Sequence, residues 1–190
     1  MVAAFLGSPR AGGNTDTLAA EMLEGARAAG CETESHALRR LDVRPCTGCE
    51  RCWEKDRPCV LSDDTARLYE AIARADALLF ATPVYWYGPT AIMKAFIDRL
   101  VVYNRPRGRP LIDGKTAVLV SAWEEQGPEA AEALVRLFEL SFRYLGLRFA
   151  DRLLVDGCGP KGAALQKPFA LARAREIGLG LPAALRREPR

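Results

Sequence analysis

The stretch VAAFLGSPRAGGNT, residues 2–15, joins a continuous apolar run to a turn of small residues and an Asn-Thr pair that can open a helix. An apolar run without polar alternation fits a strand covered on both faces. The segments ALLFA (77–81) and AVLV (117–120) share that character, which is the habit of a parallel sheet. Helical spacing separates them. Leu18, Met22, Leu23 and Ala26 follow GNTDT, and Leu68, Ile72 and Ala73 follow the acidic start Asp63-Asp64-Thr65. Further helices open at Gly88-Pro89 (Ile92, Met93, Phe96, Ile97, Leu100, Val101), at Gly127-Pro128 (Leu134, Leu137, Phe138, Ser141, Leu145) and at Lys167-Pro168, because proline is favoured just inside a helix start. Strands over 31–37 and 147–155 raise the number of β segments to five. The alternation predicts an α/β doubly wound parallel sheet with helices on both faces and right-handed crossovers, as one domain over residues 1–190. Ligands of such sheets bind beyond the carboxyl ends of the strands, where the strand order reverses. The loops after Leu6, Ala81 and Val120 are therefore the ones to read.

Composition narrows the function. The chain has 190 residues, 49% of them apolar, and a net charge of +3 with 27 basic and 24 acidic residues intermixed. That balance gives no support to nucleic-acid binding or membrane attraction. The densest basic patch, Arg105, Arg107 and Arg109, lies among prolines and glycines and reads as a solvated loop. The one histidine, His36, sits in an alternating strand-like segment and is a poor candidate for a catalytic base. No secretory leader or bilayer-length apolar run is recognisable, so the expected location is the cytoplasm, where clustered cysteines point to metal or redox chemistry before structural disulfides.

The first loop, GSPRAGGNTDT, runs from a strand directly into a helix, which makes an anion site. Free N–H groups and the helix dipole favour negative charge, Ser8, Asn14 and Thr15 add hydrogen bonds, and Arg10 supplies countercharge. Neither the lysine of G-x-x-x-x-G-K-[ST] nor a G-x-G-x-x-G fingerprint is present. The alternative is a capped helix after a flexible turn. In the second loop, TPVYWYGP (82–89), three consecutive aromatics on a tight loop cannot all enter the core. Exposed rings there suit a flat ligand or a subunit interface.

GSPRAGGNT after the first strand, ATPVYWYGPTAIMKAFIDR after the third, and a Cys-x2-Cys-x2-Cys loop followed by CVLSDD resemble the flavodoxin-like NAD(P)H-dependent FMN reductases, most closely their iron–sulfur flavoprotein branch. The resemblance covers roughly residues 2–103 and implies a flavodoxin-like fold with bound FMN. It would place the phosphate on Ser8, Arg10, Asn14 and Thr15 and the isoalloxazine against Pro83, Val84, Tyr85, Trp86, Tyr87 and Gly88. Trp123 is a candidate to cap the ring, although Glu124 and Glu125 beside it disfavour an anionic reduced flavin. NAD(P)H is the implied electron donor, a small molecule or protein the acceptor, and a homodimer or homotetramer the expected assembly. No catalytic acid, base or nucleophile is named, because the cofactor carries the chemistry.

The segment CTGCERCWEKDRPC (46–59) places four cysteines and six charged residues in a connection of about twenty residues after the second strand, where such loops usually have two to six. It cannot form a core of its own. Four thiolates on one centre would supply the missing constraint: Cys46, Cys49 and Cys52 wrap one face and Cys59 closes the fourth position, a spacing that resembles the compact [4Fe–4S] motif of the iron–sulfur flavoproteins. Zinc on four thiolates, or free thiols and disulfides, are the rivals. Nothing in the sequence places these cysteines at a helix start. Three functions remain in play: an FMN-dependent electron-transfer oxidoreductase with a cluster, a cluster-free NAD(P)H-dependent FMN or quinone reductase, and a zinc-stabilised flavodoxin-like binding module.

Overall fold

In the computed structural model, which describes residues 1–54 and 56–185, the three apolar runs form β1 (Val2–Leu6), β3 (Ala77–Ala81) and β4 (Thr116–Ala122). They are flanked by β2 (Thr33–Ala37) and β5 (Arg148–Val155) in the order β2-β1-β3-β4-β5, every neighbouring pair parallel. That order is the flavodoxin-like one, whose switch point lies between β1 and β3. The outer strands start one or two residues later than the sequence pattern suggests. The β4–β5 register shifts between Ala117 and Val118, so that Val118 faces Asp151.

The strands' period of two divides the core. Ala3, Phe5, Leu78, Phe80, Ala117 and Leu119 face one side, under α3 (Thr65–Arg74), α4 (Ala91–Arg99) and α5 (Glu132–Leu145). Val2, Ala4, Leu79, Ala81, Val118 and Val120 face the other, under α1 (Asn14–Ala28) and α6 (Pro168–Leu185). Phenylalanine rings fill the first layer, with centroids 4.7 Å apart for Phe5 and Phe96 and 5.0 Å for Phe80 and Phe142. On α5 the buried face uses Phe142 rather than the expected Ser141. On the second face α1 and α6 meet closely through glycines: a side-chain carbon built at Gly178 would collide with the Met22 carbonyl, and one at Gly25 with that of Arg175. No helix among the described residues is long and apolar enough to cross a membrane.

The long connection after β2 contains a 3-10 turn (Leu38–Arg40) and the one-turn helix α2 (Arg51–Glu54). Its base is closed by backbone hydrogen bonds and a buried ion pair. Asp64 N donates to the Asp42 carbonyl at 2.9 Å, and Asp42 N returns a bond to the Asp64 carboxylate at 2.9 Å. Arg99, at the end of α4, is buried and donates through Nη1 and Nη2 to Asp63 at 2.6 and 3.2 Å, and through Nη1 to the Arg44 carbonyl at 2.8 Å. Burial pushes the Asp63 carboxyl up, but hydrogen bonds from Arg99 and from backbone N–H groups of Thr65 and Arg44 outweigh it and bring the pKa down to about 2. A second tie runs from Asp56 to Arg105 at 3.3 Å and to the Arg107 N–H at 3.2 Å. The solvated-loop reading of 105–109 therefore fails for Arg105, which is buried, and holds for Arg107, which is exposed.

Two consequences can be measured. Gly178→Ala should lower unfolding free energy by about 1–3 kcal/mol in urea, because the new carbon overpacks the α1–α6 contact. Gly180→Ala, which meets nothing within 4 Å, should stabilise by up to about 1 kcal/mol. The Asp63 pKa is depressed in the folded state, so its contribution, about 2 kcal/mol, is present above pH ~4 and lost as pH falls towards 2. Urea unfolding at pH 6 and pH 2.5 should show Asp63→Asn less stable at pH 6 by about 3 kcal/mol and the difference from wild type shrinking at low pH.

Candidate functional site

The loop between β1 and α1 is held against β3 by packing that admits no side chain at Gly7, where an added carbon would lie 2.8 Å from Met93 Cβ. Gly7 N donates to the Ala81 carbonyl at 2.7 Å. The Gly7 carbonyl accepts from Thr90 Oγ1 at 2.6 Å, and Thr90 Oγ1 also caps α4 by accepting from Met93 N. Thr82 continues this buried polar ladder: its hydroxyl accepts from Thr90 N at 3.2 Å and its carbonyl from Ser121 Oγ at 2.8 Å. The carboxyl ends of β1, β3 and β4 are thereby locked together. Thr82, Thr90 and Ser121 were not singled out from sequence, because isolated hydroxyl residues carry no pattern.

Helix α1 begins at Asn14 with Gly13 as its cap and no side-chain cap bond, so the first-turn N–H groups have no internal partner. A carbon at Gly13 would sit 3.0 Å from Ser8 Oγ, and Ser8 Oγ itself accepts from Arg10 N at 3.2 Å. Asn14 is fully engaged elsewhere. Its Nδ2 donates to the carbonyls of Cys158 and Pro160 at 2.7 and 2.8 Å, and its Oδ1 accepts from Gly162 N and Ala164 N at 3.0 and 3.1 Å. The side chain therefore ties α1 to the segment after β5, and what Asn14 can offer an anion is its backbone N–H. Asp16 accepts from Gly12 N at 3.0 Å and pairs with Arg39 at 3.0 Å, while Arg39 also donates to the Ser8 carbonyl. Burial holds the Asp16 carboxyl above its ordinary range even against the Arg39 charge.

These elements bound a cleft of about 180 Å³. Ser8, Arg10, Asn14, Thr15, Pro83, Val84, Tyr85 and Trp123, all proposed from sequence, line it. Trp86, Tyr87 and Gly88, proposed with them, are not among its lining residues. Trp123 is buried, and its indole N–H donates to the Gly127 carbonyl at 3.1 Å. The wall missed from sequence is Cys158 and Gly159, joined by Glu124 and Glu125. The available signal was the run Asp156-Gly157-Cys158-Gly159-Pro160 at the carboxyl end of β5, a turn at the same edge of the sheet as the other loops.

The aromatic loop is a two-residue hairpin. Tyr85 and Gly88 exchange both backbone bonds, at 2.9 and 3.0 Å, while Trp86 and Tyr87 take φ of 49° and 62°. Positive φ at both central residues defines a type I′ turn, normally Asn-Gly. Two bulky aromatics there are strained. They stand out from the surface, Trp86 95% and Tyr87 61% exposed.

All four loop cysteines line a separate pocket of about 540 Å³ with Trp53, Val60, Leu61, Arg99 and Val101. Cys52 is buried, Cys59 half-buried, Cys46 and Cys49 exposed, and all are free thiols. Burial pushes the Cys52 thiol up. Contrary to the sequence expectation, Cys49 does sit at a helix start: it precedes α2, and hydrogen bonds from the Arg51 N–H and then Thr47 lower its thiol pKa. The donor set, four soft thiols on one pocket, fits an iron–sulfur cluster. Among the described residues no three His, Cys, Asp or Glu side chains are gathered closely enough to hold a metal ion. The cleft likewise fits a flavin phosphate, with an uncapped first turn, small residues that leave it open and a cation at its mouth.

The profile of the NADPH-dependent FMN reductase family matches residues 1–148. A Bacillus subtilis (strain 168) protein named as an NAD(P)H-dependent FMN-containing oxidoreductase is 29% identical over 180 residues, 93% of this chain and 95% of that one. An iron–sulfur flavoprotein of Archaeoglobus fulgidus is 37% identical over 111 residues, 58% of this chain, and the match spans about half (49%) of that relative's length. A solved structure described as the Trp repressor binding protein of Bacillus subtilis is 25% identical with a TM-score of 0.71, covering 93% of this chain and 97% of that one. The chain belongs to the NADPH-dependent FMN reductase family and is a flavin-dependent oxidoreductase.

Proposed function

We propose that this chain is an FMN-dependent NAD(P)H oxidoreductase that also carries a [4Fe–4S] cluster on the loop 46–59 and passes electrons to a small-molecule or protein acceptor. The observation that carries the flavin half is the uncapped first turn of α1 opening into a cleft that is also lined by Pro83, Val84 and Tyr85. Backbone N–H groups of the first turn, with Ser8, Thr15 and Arg10, would hold the phosphate; Pro83, Val84 and Tyr85 would hold the ring, and Trp123 would close the cleft from β4. FMN when bound supplies hydride and single-electron chemistry. The protein's part is to bind, orient and exclude water, and no side chain in the cleft is assigned a proton transfer. Glu124 and Glu125 at the rim oppose added negative charge beside the ring.

A cleft of about 180 Å³ is smaller than the roughly 300–1,000 Å³ typical of sites that enclose a ligand of this size. The ring would extend over the exposed Trp86 and Tyr87, which supports a homodimer or homotetramer in which a second copy covers that rim. Six free thiols support a reducing compartment, the cytoplasm. For the cluster half, Cys46, Cys49, Cys52 and Cys59 would be the ligands, supported by their shared pocket. The second reading, a cluster-free FMN or quinone reductase, is favoured by the thiols' not being drawn together at ligating distance. A zinc-stabilised binding module is the reading least supported, since the flavin cleft is intact.

Arg10→Glu places a like charge at the phosphate and should weaken FMN binding at least about tenfold, read by quenching of flavin fluorescence; unchanged affinity would mean the phosphate lies elsewhere. Protein prepared without oxygen should contain iron and acid-labile sulfide beside FMN. Cys49→Ala should abolish both and keep the flavin, whereas flavin-loaded wild type without iron or sulfide would select the cluster-free reading.

A further inference from the structure

Native interiors leave few buried polar groups without a partner, so where such groups gather is informative. Among the described residues, three buried guanidinium nitrogens have no hydrogen-bond partner: Nε of Arg57, Arg99 and Arg105. All three belong to the cysteine loop or to the segments that clamp it. Arg57 lies between Cys52 and Cys59, Arg99 holds Asp63, and Arg105 holds Asp56. The region thus holds three buried cationic nitrogens with an unused donor. Of the three, Arg99 lines the pocket shared by the four cysteines.

Arg99 is built into place rather than draped over the surface. Its side chain is 1% exposed and that of its partner Asp63 fully buried. Three of its five N–H groups are engaged by Asp63 and the Arg44 carbonyl, and of the remaining two the one on Nε belongs to a buried nitrogen with no partner at all. We infer that Arg99 is the electrostatic partner of whatever anionic centre the four cysteines form, donating Nε–H towards a cysteine sulfur and offsetting the centre's negative charge. This rests on the reading of loop 46–59 as a thiolate-ligated metal or cluster site. Arg99 and Cys59 line the same pocket. Hydrogen bonds to sulfur and nearby charge are among the levers that set cluster potential and metal affinity. Arg99 then has two functions, closing the base of the loop and charging the pocket, and the two can be separated.

The separation uses both partners of the ion pair. Removing Arg99 takes a positive charge from the pocket; removing Asp63 takes away a negative one. A purely structural clamp predicts that Arg99→Gln and Asp63→Asn damage the pocket in the same direction. A charge partner predicts opposite directions. Two readouts apply: affinity of the reduced apo-protein for Cd2+ alone, followed by thiolate-to-metal charge-transfer absorption, and the midpoint potential of the cluster-loaded protein, followed by spectroscopic titration.

Arg99→Gln should weaken Cd2+ binding about tenfold or more and lower the potential, Arg99→Lys should recover most of the affinity, and Asp63→Asn should bind Cd2+ at least as tightly as wild type and raise the potential. Equal effects of Arg99→Gln and Asp63→Asn, or none from either, would overturn the inference while leaving a cluster in place. If Arg99→Gln does not fold, Asp63→Asn against Arg99→Lys still decides: the potential must rise in the first, and an unchanged or lowered value overturns the assignment. Failure of the wild-type apo-protein to bind Cd2+ through several thiolates, together with failure to take up iron and sulfide, would remove the metal site itself and Arg99's part with it.

Discussion

Four hydrogen bonds on one amide side chain set the geometry on which the cleft at the carboxyl edge of the sheet depends. Asn14, buried at the first position of α1, joins that helix to the segment 158–164 with every donor and acceptor of its carboxamide satisfied. The cap position before it is Gly13, which has no side chain to fold back onto the helix, so the helix end stays uncapped. The first-turn N–H groups are left for an anion, and the backbone around Cys158 becomes a wall of the cleft. Gly7, Thr90, Thr82 and Ser121 do the corresponding work between β1, β3 and β4, so that the floor of the site is a single hydrogen-bonded unit rather than three loops moving independently.

On that floor stands a strained element. A type I′ turn with Trp and Tyr at its two positive-φ positions departs from the residues that conformation favours. Strain of this kind persists only where surrounding structure enforces it; the paired backbone bonds of Tyr85 and Gly88, anchored between the ends of β3 and α4, provide the enforcement. The result holds two rings away from the core, where side chains of their size would otherwise be buried. The cysteine loop is held differently, by the ion pairs Arg99–Asp63 and Arg105–Asp56 at its ends. Its thiols can therefore remain separate without the loop losing its place.

Much of this was legible in the sequence. Val2–Leu6, Ala77–Ala81 and the core of β4 lack alternation because helices cover both faces, and the same residues form the central strands. Ser8, Arg10, Thr15, Pro83 to Tyr85 and Trp123 converge because short loops at the carboxyl edge have little freedom to go elsewhere. What could not be read depends on partners distant in the chain. The wall at Cys158 and Gly159 lies some 145 residues from the loop it faces. Nothing in Arg99 as the last residue of an amphipathic helix announces its Asp63 partner 36 positions earlier. Arg105, surrounded by Pro and Gly, carries a solvated-loop composition although it is buried against Asp56. The turn at Trp86-Tyr87 was hidden because its residues contradict its backbone, and Asn14 because one residue type serves both an anion site and a tertiary tie.

The backbone amides of Asn14, Thr15 and Asp16 provide the most direct test of the cleft. In an amide-resolved NMR titration, FMN should shift these three resonances strongly, and riboflavin, which has the ring and no phosphate, should shift the Tyr85–Gly88 amides while leaving those three near their free positions. Shifts of the same size at Asn14–Asp16 with both ligands, or none with FMN, would contradict a phosphate seated on the first turn of α1.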